Sequence, residues 1–82
     1  MSVYLTKGRN LGEAERVTTS TEKTGLWTAI YFLENSEPTV LTVDGNNLAG
    51  TYVAGDWVYG AITAVTGEAN KDYILYKAQV DH

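Results

Sequence analysis

The side chains able to do covalent chemistry in this 82-residue sequence are few. It has no cysteine, and its one histidine, His82, is the last residue. A Ser-His-acid arrangement needs a base held at a fixed distance from its nucleophile, and a chain end is a poor place to hold one. The ten acidic residues could supply a carboxylate pair of the kind that hydrolyses glycosides. However, Asp44, Asp56, Glu68 and Asp72 all fall where turns are expected, and acids are ordinary turn residues. No Gly-x-Gly-x-x-Gly or phosphate-loop pattern occurs, and the eight glycines are spaced as turns. Without thiolates or paired histidines there is no zinc set. Asp44-Gly45-Asn46-Asn47 is rich in side-chain oxygen but lacks the spaced acids and closing glutamate of a calcium loop, so it reads as a hairpin turn. The expectation is a protein that is not an enzyme and holds no metal or other cofactor.

The aromatic residues are the more informative set. Trp27, Tyr31, Tyr52, Trp57 and Tyr59 fall among β-branched residues, and three roles suit them. The first is a core, where aromatic pairs across strands contribute about 0.2–1 kcal/mol each. The second is a subunit interface, in which Trp and Tyr are common anchors. The third is a platform on which sugar rings stack. The residues expected to form the core or a subunit interface are Trp27, Ile30, Tyr31, Tyr52, Trp57, Tyr59 and Ile62.

The elements that position them follow from alternation and punctuation. Residues 2–6 read as a short strand or arm, broken by the Gly- and Asn-containing stretch 7–12. Residues 1–12 are thus expected to be an N-terminal arm or edge strand, and 13–82 a single β-domain. Residues 13–16 (EAER) have helix-forming character but are too few to stand alone. They lead into a polar strand over 17–21 and a turn over 22–25. Residues 26–33 (LWTAIYFL) are apolar at nearly every position, as in a strand buried on both faces. Regular alternation would put Trp27, Ala29, Tyr31 and Leu33 on one face and Leu26, Thr28, Ile30 and Phe32 on the other. A single small sheet cannot cover both, so a second sheet or a neighbouring subunit is expected.

A strand over 39–43, the hairpin at Asp44-Gly45, a brief strand over 51–53, a long strand over 57–66 and a closing strand over 73–80 complete the pattern. In the long strand, alternation would group Val58, Gly60, Ile62 and Ala64 against Trp57, Tyr59, Ala61, Thr63 and Val65. Gly60 marks a bulge or a close backbone approach. Turns every eight to twelve residues indicate a small antiparallel β-sandwich or barrel.

A chain this short is one domain and buries only about 60% of its unfolded surface, so small domains lean on disulfides, metals or oligomerisation. Without cysteine or a histidine cluster, oligomerisation is the expected staple. Six basic against ten acidic residues, a net of −4, leave no cationic face for nucleic acid. No run of about 18 apolar residues suggests a membrane span, and residues 1–10 lack the apolar stretch of a secretion signal. Synthesis and folding in a cytoplasm are expected.

Residues 25–66, about half the chain, resemble small β-rich accessory virion proteins of tailed bacteriophages. The match is carried by Trp27-x-Ala29-Ile30, Leu48-x-Gly50, Ala54-Gly55 and Tyr59-Gly60-x-Ile62-Thr63. The resemblance implies a homotrimeric β-module on the outer surface of a capsid, a decoration (cement) or head-fibre protein that contacts the major capsid protein or another virion protein. From the charge balance and the absence of a long apolar run, no nucleic-acid or membrane partner is expected. A tail or neck accessory protein and a glycan-binding module on a fibre are the alternatives.

Overall fold

The computed structural model describes residues 11–78. The expected arm over 1–12 therefore lies largely outside the described residues. The chain is all-β and antiparallel: β1 (Leu11–Val17), β2 (Lys23–Phe32), β3 (Val40–Val43), β4 (Asn46–Asn47), β5 (Trp57–Thr66) and β6 (Tyr73–Ala78). They form one open sheet in the order β1-β6-β2-β5-β3-β4, with β2 and β5 at its centre. The all-β antiparallel architecture expected from the sequence is thus present as one open six-stranded sheet.

Local chemistry explains most of the boundaries. Asp44 and Gly45 both have positive φ, 52° and 83°, the pattern of a type I′ hairpin turn. Val43 accordingly pairs with Asn46 across two turn residues. Ten residues of aromatic, β-branched and small side chains make β5. The stretch EAER, short of a helical turn's support, lies in β1, where Glu15 pairs with Leu75 and Arg16 with Ile74. Pairing with β6 wins over local helix preference. β1 also begins two residues before the expected domain start at 13 and ends at Val17, so 18–21 is not strand. β2 starts at Lys23, inside the expected turn. The brief strand expected over 51–53 is reduced to a single bridge between Ser36 and Tyr52.

Register shifts give the sheet its shape. Between Thr24 and Trp27, β2 advances three residues while β5 moves two, from Ala64 to Ile62; between Trp27 and Ala29, β2 advances two while β5 moves three, to Tyr59. Against β3, Thr63 is the extra residue, since Thr42 pairs with Ala64 and Val43 with Ile62. Such bulges bend a strand and increase its twist. The result is one buried cluster of Val17, Trp27, Ile30, Phe32, Leu41, Val43, Ile62, Val65, Tyr73 and Leu75, with Tyr52 and Val58 packed against it. Regular alternation is therefore corrected at two places. Trp27 joins Ile30 and Phe32 instead of Tyr31, and Val65 joins Ile62 instead of Trp57 and Tyr59. Both crossings coincide with the bulges.

Candidate functional site: an aromatic cluster on the second face of the sheet

Ala29, Ile30, Tyr31 and Phe32 pair in unbroken register with Tyr76, Leu75, Ile74 and Tyr73. Successive side chains in this stretch therefore point to opposite faces. Ile30 and Phe32 enter the core. Ala29 and Tyr31 face the other way, where directly paired neighbours supply Tyr76, Tyr59 and Trp57.

On that face Trp57 is the hub. Its ring centroid lies 4.6 Å from that of Tyr31 (tilted 45°), 5.6 Å from Tyr59 (7°, stacked) and 5.5 Å from Tyr76 (29°, stacked). Each geometry is within the favourable range for aromatic pairs. Ala29, with the smallest side chain in the row, is fully buried. Its methyl group leaves room for large rings on the paired positions of both neighbouring strands. Tyr59 remains 52% exposed, so the cluster is stacked and tilted ring against ring within the sheet face and open to solvent at Tyr59.

The seven residues singled out from the sequence divide between two places. Trp27, Ile30 and Ile62 lie in the core of their own chain, with Tyr52 packed on it. Tyr31, Trp57 and Tyr59 form the outer cluster, where Tyr76 joins them. Tyr76 was missed because the closing strand reads as an ordinary apolar run. Its signal was available: it stands on the face of β6 opposite Tyr73 and Leu75.

Tyr52 stacks on Phe32 with centroids 4.6 Å apart and planes 8° apart. Its hydroxyl donates to the Leu48 carbonyl at 2.6 Å. Burial, and then the charge of Asp56, raises its pKa. Tyr73 is fully buried, and its hydroxyl finds no hydrogen-bond partner among the described residues. Desolvation, with a smaller contribution from the Glu15 carboxylate, pushes its pKa up to about 12. Glu15 itself is ion-paired with Lys23. Asp44, considered for calcium, accepts from the Ala61 amide at 3.0 Å and so ties the hairpin to β5. Among the described residues no three His, Cys, Asp or Glu side chains are grouped to hold a metal.

Comparison with protein-family models, with curated proteins and with solved structures finds no match to this chain.

Proposed function

We propose that this chain is a structural protein of a tailed-bacteriophage virion, a capsid decoration (cement) or head-fibre subunit that self-associates as a homotrimer and binds the outer capsid surface. The observation that carries the reading is the aromatic second face of β2. A sheet is stable when each apolar face is covered by another layer. Here the core face is closed by side chains of β1, β2, β3, β5 and β6 with Tyr52 packed against them, while among the described residues Tyr31, Trp57, Tyr59 and Tyr76 have no second sheet above them. Trp and Tyr are the residues most enriched at energetic centres of interfaces. A cyclic trimer suits the local three-fold positions of a shell, where each subunit meets a symmetry-related neighbour.

The mechanism is mechanical. Many copies, each adding buried interface between neighbouring capsomers, raise the resistance of the shell to internal pressure. The resemblance over residues 25–66 supports the virion context, and the acidic balance suits a copy-rich surface protein.

Light scattering on the purified chain at several concentrations tests the self-association. A stable mass of three chains that falls on Tyr59→Ser is the expected result. A folded monomer would remove the interface reading. It would leave the same rings open for a glycan, which a saturable change in tryptophan fluorescence with added oligosaccharide would reveal.

A further inference from the structure

Asp44 is the one Asp or Asn in the sequence that is followed by glycine; Asp56 and Asp72 precede Trp57 and Tyr73. That neighbour matters chemically. A backbone nitrogen can attack the carboxyl carbon of the aspartate before it and close a cyclic succinimide. A side chain on the attacking residue hinders the approach, and glycine has none. Asp44 and Gly45 are both exposed, and a β-carbon added to Gly45 would meet nothing within 4 Å, so water can reach the pair.

The folded hairpin engages the Asp44 carboxylate elsewhere. Its Oδ1 accepts from the Ala61 amide at 3.0 Å, and the Asp44 amide donates to the Ala61 carbonyl at 2.9 Å. Ala61 can offer both groups because β5 bulges at this point: Trp27 pairs with Ile62 and Ala29 with Tyr59, while Val43 pairs with Ile62. A bulge re-aims the groups it displaces from the ladder. Gly60 completes the fit, since a β-carbon there would lie 3.0 Å from Asp44 Oδ2. One turn residue is thus bolted to β5 through backbone and side chain together.

We propose that Asp44 is a modification site: it isomerises to isoaspartate through a succinimide with Gly45 when the hairpin opens, and the Asp44–Ala61 contact is the lock that prevents this in the folded chain. The chemistry balances without a co-reactant. A bond forms between the Gly45 nitrogen and Asp44 Cγ and a carboxyl C–O bond breaks. The oxygen leaves as water, taking the amide proton and the carboxyl proton. Solvent water then opens the ring. Cleavage between nitrogen and Cγ restores aspartate, whereas cleavage between nitrogen and the main-chain carbonyl carbon leaves the backbone running through Cβ and Cγ. The added backbone carbon has no place in a two-residue type I′ turn. The pairing of Val43 with Asn46 is then lost, and with it the hold on Val43 in the core. Ring closure requires the carboxylate to leave Ala61 and turn back over the Gly45 nitrogen. β4, paired to β3 at the sheet edge, is a place where local opening is separable from global unfolding. The modified chain therefore records time spent open.

Isoaspartate is measured at neutral pH by enzymatic methyl transfer and located by peptide mass mapping. In denaturing urea the wild-type chain should accumulate it at position 44 and not at Asp56 or Asp72, and Gly45→Val should suppress it; folding plays no part in either comparison. Native protein should accumulate it at least about tenfold more slowly, because the reaction awaits the opened population. Equal rates in urea and in buffer would overturn the lock. Equal yields at Asp44 and Asp56 in urea, or no effect of Gly45→Val, would overturn the site. Gly60→Ala and Gly67→Ala separate the Asp44 contact from stability in general. The first crowds Asp44, and the second crowds Tyr73, whose ring lies 2.5 Å from the added carbon. Held the same interval below their own melting temperatures, Gly60→Ala should isomerise severalfold faster than Gly67→Ala. The same rate in both would overturn the assignment of the lock to Asp44 and Ala61.

Discussion

The rings of Tyr31 and Phe32, neighbours in β2, lie on opposite faces of the sheet. Tyr31 packs 4.6 Å from Trp57 on the outer face, and Phe32 stacks 4.6 Å from Tyr52 on the core face. The two tryptophans divide in the same way, since Trp27 belongs to the core and Trp57 to the outer cluster. Their substitutions should differ accordingly. Trp27→Ala removes a buried side chain and is expected to cost about 3–5 kcal/mol, much of a small domain's stability. Urea denaturation followed by circular dichroism should show a broad or absent transition. A cooperative transition at the wild-type midpoint would show that Trp27 is not a core residue.

Tyr59→Ser should behave in the opposite sense. With half its surface already exposed, the ring's loss costs about 1 kcal/mol or less through its stacking on Trp57. The fold should persist while the proposed self-association is lost. Sedimentation velocity reads both in one experiment, as a compact particle of lower mass. An unchanged mass would place the interface elsewhere.

Gly60 sits at a φ of 146°, and a β-carbon there would lie 2.6 Å from Cγ1 of Val43 and 3.0 Å from the Asp44 carboxylate. Gly60→Ala should therefore destabilise by about 1–3 kcal/mol, through backbone strain and overpacking together. Gly50→Ala is the control, because no atom lies within 4 Å of its added carbon and its φ is not positive. Thermal melts of the two should separate clearly. Equal melting temperatures would mean that the bulge tolerates a side chain.

Tyr73 gives the fold an alkaline limit. Its pKa rises from 10.0 to about 12 on folding, so the folded chain holds the phenol proton more tightly. Its contribution is complete below pH 10 and falls as the unfolded chain deprotonates between pH 10 and 12. Tyr73→Phe should flatten that fall and, by removing a buried hydroxyl with no partner among the described residues, leave neutral-pH stability equal or slightly higher. Denaturation midpoints at pH 8, 10 and 11.5 check this. Parallel pH profiles for the two proteins would contradict it.

Arg16 donates to Asp72 through Nε at 3.0 Å and also through its terminal nitrogen. The Arg16 side chain is 65% exposed, so solvent screens the pair. Arg16→Ala should cost about 0–1 kcal/mol, less than either Gly60→Ala or Trp27→Ala. A loss comparable to Trp27→Ala would show that the β1 edge is held mainly by this ion pair.

Much of the strand pattern was legible because it is local. The limits 57–66 of β5 follow from a run of β-formers between glycine and aspartate turns, and the Asp44-Gly45 hairpin follows from two residues that tolerate positive φ. The glycine inside β5 marked a bulge for the same local reason. The limits of β1 were not legible, because EAER has no strand preference of its own and is strand only through pairing with β6.

What the amino-acid order determined by itself is an antiparallel all-β chain, turned by its glycines and aspartates and apolar on both faces of its central strand. Only the tertiary structure decided which rings are inside. Alternation is a rule for unbroken strands, and the register shifts beside Trp27 and Thr63 depend on how β2, β3 and β5 meet across long sequence separations. Those shifts moved Trp27 and Val65 into the core. They also left Tyr31, Trp57 and Tyr59, together with Tyr76 from a distant strand, as one cluster facing solvent.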